Sequence, residues 1–257
     1  MSGASPDAPD FRVVTKGRGN KTAGGAGVSR LRNALPASPR HPAWQNLTDI
    51  PLPSTGARAT LIADGSDRRA AKGYDLLRTQ TNAALIAKGW NIIAIAQSRS
   101  QGKASAVTAL NLALSEARRP GRKVVLVDLD LERQPISRLL DSPPPTPEEG
   151  LTLNSVTERL ALVRVAAHEG EMTEMLMDPK FHEQLENRLP ELDPQIILLH
   201  LPPLLDGDAA IASLNLAHTV LLVIDGCADT AADVRHAEKR IGTRCPVLGL
   251  FLYDAEG

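Results

Sequence analysis

From about residue 90 onward the chain carries short apolar, strand-prone runs at 91–96, 124–127, 160–165, 196–199, 219–224 and 247–252. Most lack polar alternation, the pattern of strands covered on both faces. Segments of helical period separate them at 104–118, at 171–189 with an interruption at Asp178-Pro179, at 208–217 and at 230–241. The last opens with the capping box Thr230-x-x-Asp233, in which a hydroxyl and a carboxylate satisfy helix-end amides reciprocally. Ahead of the first run, Ala70, Tyr74, Leu77, Thr81 and Ala84 fall on one stripe of a helix that starts near Asp67 and ends near Lys88-Gly89. Strands alternating with helices predict one doubly wound α/β domain with a mostly parallel sheet over residues 60–257.

Residues 1–59 read differently, as a Pro/Gly-rich basic tail expected to be disordered. The first 56 positions hold seven prolines and seven glycines with no period, too little apolar surface to offset ordering entropy. Seven basic residues (Arg12, Lys16, Arg18, Lys21, Arg30, Arg32, Arg40) lie between Phe11 and Gln45 with no acidic one. Such an arm suits an anionic inner membrane surface, at about 1 kcal/mol per basic residue. On composition alone, a solvated linker is the favoured reading. Gly17-Arg18-Gly19-Asn20-Lys21-Thr22 imitates a phosphate loop, but no strand precedes it and no helix follows.

Composition narrows the classes further. A chain of 257 residues, 42% apolar, closes a large core, while a net charge of −1 and 3% aromatics argue against a nucleic-acid partner. Cys227 and Cys245 make neither a disulfide framework nor a thiolate metal site, and both are expected to fill core. No apolar run reaches membrane-spanning length and the first residues lack a secretory core, so a cytoplasmic protein is expected, peripheral at the inner membrane if the tail binds there.

Ligands of doubly wound sheets sit beyond the carboxyl ends of strands, so those tips hold the candidate chemistry. After the first strand comes Gln97-Ser98-Arg99-Ser100-Gln101-Gly102-Lys103-Ala104-Ser105 and a helix. A phosphate loop needs inward amides, a Lys for the outer phosphates and a hydroxyl for Mg²⁺. Here Gly102 and Lys103 are present, Ala104 takes the hydroxyl position, and Ser105 is one place late; as a bare motif this reads better as an ordinary turn. The second strand ends in Asp128 and Asp130, alternate carboxylates suited to one cation or one attacking hydroxyl, or to capping the loop. The strand at 196–199 ends in His200, which is expected to be structural, either satisfying carbonyls near Pro202-Pro203 or relieving charge beside Asp128.

Together, Tyr74-Asp75-Leu76-Leu77-Arg78-Thr79-Gln80, Asn111-Leu112-Ala113, the run 124–130 with Pro135 and Arg138-Leu139-Leu140, Gly150-Leu151, Glu174-Met175-Leu176, Leu201-Pro202-Pro203 with Asp208-Ala209, and Val220-Leu221-Leu222-Val223 resemble, in order, the bacterial tyrosine autokinases of capsule and exopolysaccharide synthesis. The resemblance implies a P-loop domain of the MinD/ParA type and autophosphorylation of C-terminal tyrosines. It also implies ATP and Mg²⁺ as cofactors and, as partner, a membrane-embedded polysaccharide co-polymerase or export protein.

The departures fall on the chemistry. The family's phosphate-loop Lys lies six residues before the Asn of Asn-Leu-Ala, whereas Lys103 lies eight before Asn111 and Ser105 occupies the family position. Two residues of slip turn a side chain about 200° around a helix. His200 stands where the family has a metal-site Asp; the oligomer motif E-x-x-R-x-x-R reads Lys72-x-x-Asp75-x-x-Arg78; and of the tyrosine cluster there is Tyr253. The expectation is a kinase-like module with vestigial Asp128 and Asp130 and a degenerate loop at Gly102, Lys103, Ala104 and Ser105, binding nucleotide weakly if at all and acting through protein interactions, with homo-oligomer formation left open. The rival readings are an active ATP-dependent tyrosine autokinase using Gly102-Lys103 through a remodelled loop, and a MinD/ParA-like nucleotide switch.

Overall fold

The apolar runs become the central strands of one sheet because uninterrupted Val, Ile and Leu sequences can be buried on both faces. A computed structural model describes residues 13–14, 42–53, 68–99, 102–166, 168 and 170–253. Its strands are β1 (Val13–Val14), β2 (Thr48–Asp49), β3 (Ile92–Gln97), β4 (Val124–Asp128), β5 (Leu151–Thr157), β6 (Leu160–Val165), β7 (Ile196–His200), β8 (Thr219–Asp225) and β9 (Val247–Tyr253). The helices are α1 (Arg68–Lys88), α2 (Ala104–Ala117), α3 (Pro135–Leu139), α4 (Met172–Met177), α5 (Pro179–Arg188), α6 (Ala209–Ser213) and α7 (Ala231–Ile241). Strand order is β1-β9-β8-β3-β7-β4-β6-β5-β2. The six central strands β9, β8, β3, β7, β4 and β6 are mutually parallel, as the α/β reading requires, while β5 and β1 run antiparallel to their neighbours β6 and β9.

Alternate residues of each strand feed two cores. Ile92, Ala94 and Ala96 pack with Leu176, Phe181, Leu185, Ala237 and Ile241 of α4, α5 and α7. Ile93 and Ile95 face the other way, with Tyr74, Leu77 and Leu85 of α1 and Leu110 and Leu112 of α2. All fourteen residues of α2 are buried, so this alanine-rich helix is covered on every side, and its first turn sits at the carboxyl end of the sheet. The break expected at Asp178-Pro179 separates α4 from α5, where the Asp178 side chain accepts the Lys180 amide at 2.9 Å. The Thr230–Asp233 capping box forms as expected.

Several elements depart from the sequence reading. Strand β5, at the edge and only half-buried, carries polar Asn154, Ser155 and Thr157 and does not show an apolar run. Two short elements, α3 and β2, are likewise absent from it, and the helix expected over 208–217 stops at Ser213 and closes as a 3-10 turn over Leu214–Leu216. Cys245 is buried, but Cys227 is exposed in the turn after β8 and fills no core.

Most of the segment read as a tail lies outside the described residues, but two parts of it join the sheet. Val13 and Val14 pair with Phe251 and Leu250. Residues 42–53 dock on the opposite edge: Trp44 Nε1 donates to the Leu192 carbonyl at 2.7 Å, Lys123 lies over its ring, and buried Ile50 donates its amide to Ser155 at 2.8 Å. The tail reading therefore does not extend to 42–53. Among the described residues no helix is long and apolar enough to cross a membrane.

Candidate functional site

Strand order brings the tips of β4 and β7 side by side, with Asp128 in register with His200. The loop after β3 places Ser105, in the first turn of α2, above both. His200 Nδ1 lies 2.9 Å from Asp128 Oδ1, and its Nε2 lies 3.0 Å from Ser105 Oγ. The Asp128 carboxylate also accepts the amides of Asp130 and Ile136, each at 3.2 Å. Three nitrogens thus face the Asp128 carboxylate. The His200 ring bridges Asp128 and Ser105, donating from Nδ1 to the Asp128 carboxylate and hydrogen-bonded through Nε2 to the Ser105 hydroxyl. Ser105 in turn donates its amide to Gln97 Oε1 at 3.0 Å, and Gln97 Nε2 donates to the Arg99 carbonyl at 2.7 Å. Groups from β3, α2, β4 and β7 are thus linked, with Ser105 joining Gln97 through its main-chain amide and His200 through its hydroxyl.

The connectivity is that of a Ser–His–carboxylate relay, but its setting is that of a packing element. Ser105 is 2% exposed, His200 1% and Asp128 0%. A nucleophile needs access and free oxyanion donors. Here the hydroxyl is covered, and the Ser105 amide is already donated to Gln97.

Carboxylates rim the relay. Gly102 adopts φ +84°, which favours glycine, and a β-carbon there would lie 2.7 Å from Asp225 Oδ2. Asp229 accepts the Ser98 hydroxyl and, at 2.8 Å, the Asp225 amide. Arg99 Nε pairs with Asp233 Oδ1 at 2.8 Å. Burial pushes the Asp130 carboxyl up from the usual range and the Asp128 charge adds to this, against His200 and Arg133. Hydrogen bonds from Thr230 and Arg99 hold Asp233 down at about 2, against an ordinary 3.8. A depressed carboxyl contributes stability above its unfolded pKa and loses it as pH falls through the folded one. An NMR titration of the Asp233 side chain should therefore find a midpoint near 2 that rises toward 3.8 in Arg99→Ala; an ordinary midpoint in the unmodified chain would refute the assignment.

The structure thus unites Ser105, Asp128 and His200, three of the residues singled out in the sequence. His200 meets Asp128 as the charge argument expected, and its second bond goes to Ser105 rather than to a carbonyl of the proline segment. Lys103 is exposed at the helix N-cap and makes no cap bond through its side chain, and Ala104 is buried. Asp130 lies beyond the strand end, its Oδ1 accepting the Arg133 amide at 3.2 Å. Gln97, Asp225 and Asp229 were not singled out; their positions just past or at apolar strand ends were the available signal. At the oligomer-motif positions, Asp75 accepts from Arg78 at 3.0 Å, from Ser115 at 2.7 Å and from Arg118, so those charges are engaged within the chain. A pocket of about 270 Å³ lined by Leu52, Leu114, Ala117, Arg118 and Thr157, Glu158 and Arg159 lies at the opposite end of the strands. Among the described residues no cluster of His, Cys, Asp and Glu forms a metal-binding group.

No protein-family model matches the chain, and no curated protein is similar to it in sequence. In structure the chain has the fold of the bacterial tyrosine kinase domains, as the resemblance implied. The kinase domain of the Escherichia coli tyrosine kinase ETK superposes with a TM-score of 0.66 at 16% identity, over 84% of this chain and 93% of that one. The chimerical protein CapA2B2 gives 0.63 at 15% identity, over 82% and 95%, and the BceF tyrosine kinase domain 0.58 at 20%, over 80% and 93%. At these identities the likeness is one of fold.

Proposed function

We propose that this chain is a kinase-like module of exopolysaccharide or capsule assembly that has lost phosphoryl transfer and works through protein contacts. Its partner in this reading is a membrane-embedded co-polymerase or export protein, with the basic tail meeting the anionic inner surface. The observation that carries the loss of catalysis is the Ser105–His200–Asp128 relay, which occupies the strand tips where this fold class places phosphate and metal chemistry.

The residues present do not fit Mg²⁺ and ATP. Asp128 already accepts three N–H donors, the Ser105 hydroxyl is engaged by His200, and the Asp225 carboxylate lies against Gly102 where a phosphate would need positive potential. Phosphoryl transfer rests on positioning and charge neutralisation, and each lost electrostatic contact costs about 10²–10³ in rate. Both nucleotide-dependent readings, the active autokinase and the nucleotide switch, require this loop to hold phosphates. Calorimetric titration with ATP, with and without Mg²⁺, should give no heat of binding in the micromolar range. A micromolar dissociation constant that disappears in Lys103→Ala would overturn the proposal.

A further inference from the structure

Arg164, on β6 in register with Asp128, is a buried cation with neutral hydrogen-bond partners. Its guanidinium donates to Asn154 Oδ1 at 3.1 Å, to Ser142 Oγ at 3.1 Å and to the Pro143 carbonyl at 2.7 Å. Burying a guanidinium is unfavourable, and Glu149 supplies the charge that faces it while its hydrogen bonds go to neutral groups, so what it secures matters. Two of its three bonds end on the loop between α3 and β5, which reads Asp141-Ser142-Pro143-Pro144-Pro145-Thr146-Pro147-Glu148-Glu149.

Sequence alone restricts this loop. Each proline fixes its own φ, and each residue before a proline is pushed to extended or polyproline II backbone, which covers Ser142, Pro143, Pro144 and Thr146. At the far end the Thr146 amide donates to Glu149 Oε2 at 2.7 Å and the Glu149 amide to the Thr146 carbonyl at 3.0 Å, a turn with Pro147 at its second position. A polyproline II helix repeats every three residues, so Pro144 and Pro147 share one edge, Pro143 and Thr146 a second, while Pro145 lies on the third. Burial follows that triangle: Pro145 is buried, Pro143, Pro144 and Thr146 are exposed, and Pro147 is intermediate. One edge rests on the domain and two face outward, anchored at both ends.

We propose that residues 142–147 are a preformed polyproline II ligand for a protein domain with an aromatic-lined groove and a cationic rim. Aromatic grooves take proline-rich segments because the ligand's conformational entropy is already low, and anchoring by Arg164 and Glu149 lowers it further. The rim charge follows from Asp141, Glu148 and Glu149, with no basic residue in sequence between Arg138 and Arg159, although buried Arg164 faces Glu149 and His168 faces Glu148. This inference is independent of the nucleotide question, and ATP titration does not bear on it.

The test titrates the full-length isotope-labelled chain with two purified probes, a WW domain with a basic groove rim and an SH3 domain with an acidic one. The WW domain should shift the amides of Ser142, Thr146, Glu148 and Glu149 at micromolar to sub-millimolar concentration. The double substitution Pro144→Ala/Pro147→Ala on the outward edge should weaken it by about tenfold or more, and Arg164→Gln by about three- to tenfold with the contact edges intact. Absence of loop shifts at millimolar WW domain, or undiminished binding by the double variant, would overturn the proposal. SH3 binding as tight as WW binding would overturn the charge assignment.

Discussion

Replacing Asp128 with alanine is expected to lower stability by about 3–5 kcal/mol, because it strands a buried imidazole and two buried amides at once. At about 2–4 °C per kcal/mol for a domain of this size, the thermal midpoint should fall by roughly 6–20 °C. Asp128→Asn keeps an acceptor oxygen and should cost less, about 1–2 kcal/mol. Lys103→Ala, at an exposed position, should stay within about 0.5 kcal/mol. This ordering is opposite to that expected of a working phosphate loop, where the Lys governs ligand binding and the strand-tip carboxylate is held ready for a cation. Thermal scans of the three variants decide it: an Asp128→Ala loss below about 1 kcal/mol would mean that the relay is not a structural element.

How much of this was legible in the chain depends on whether the signal was local. The central strands were readable because burial on both faces demands uninterrupted apolar runs, and 124–127 and 196–199 emerge as β4 and β7 within a residue at their carboxyl ends. Edge strand β5 was not, since Leu151, Leu153, Asn154 and Ser155 carry no such demand when one side is half open. Asp128 and His200 were each visible as strand-tip residues, and charge relief between them was expected. That Ser105 completes the chain was not, because the link joins residues 95 apart in sequence and depends on the order β3-β7-β4. The hydroxyl at Ser105, read in sequence as misplaced for a phosphate loop, is in three dimensions the one that reaches His200.

That interpretation is tested most severely by restoring the acid. His200→Asp removes the donor to Asp128 and places a second carboxylate beside it at a buried position, where the Asp130 and Ile136 amides still serve Asp128 and the Ser105 hydroxyl loses its imidazole partner. Two such carboxyls cannot both ionise cheaply, so one pKa rises above its unfolded value. A group raised in the folded state favours folding below its unfolded pKa and loses that contribution as pH climbs through the folded one. The variant should therefore be destabilised by about 3–5 kcal/mol at neutral pH and recover part of that toward pH 4–5, relative to the unmodified chain. Adding Mg²⁺ and ATP should neither raise its melting temperature nor produce hydrolysis, because Asp225 still faces Gly102 and the hydroxyl of the α2 first turn still lies at the buried strand tips rather than in an open loop. If the single substitution instead yields a metal-stabilised protein that turns over ATP, the loop was competent all along, and the reading of this chain as a kinase-like module without phosphoryl transfer falls.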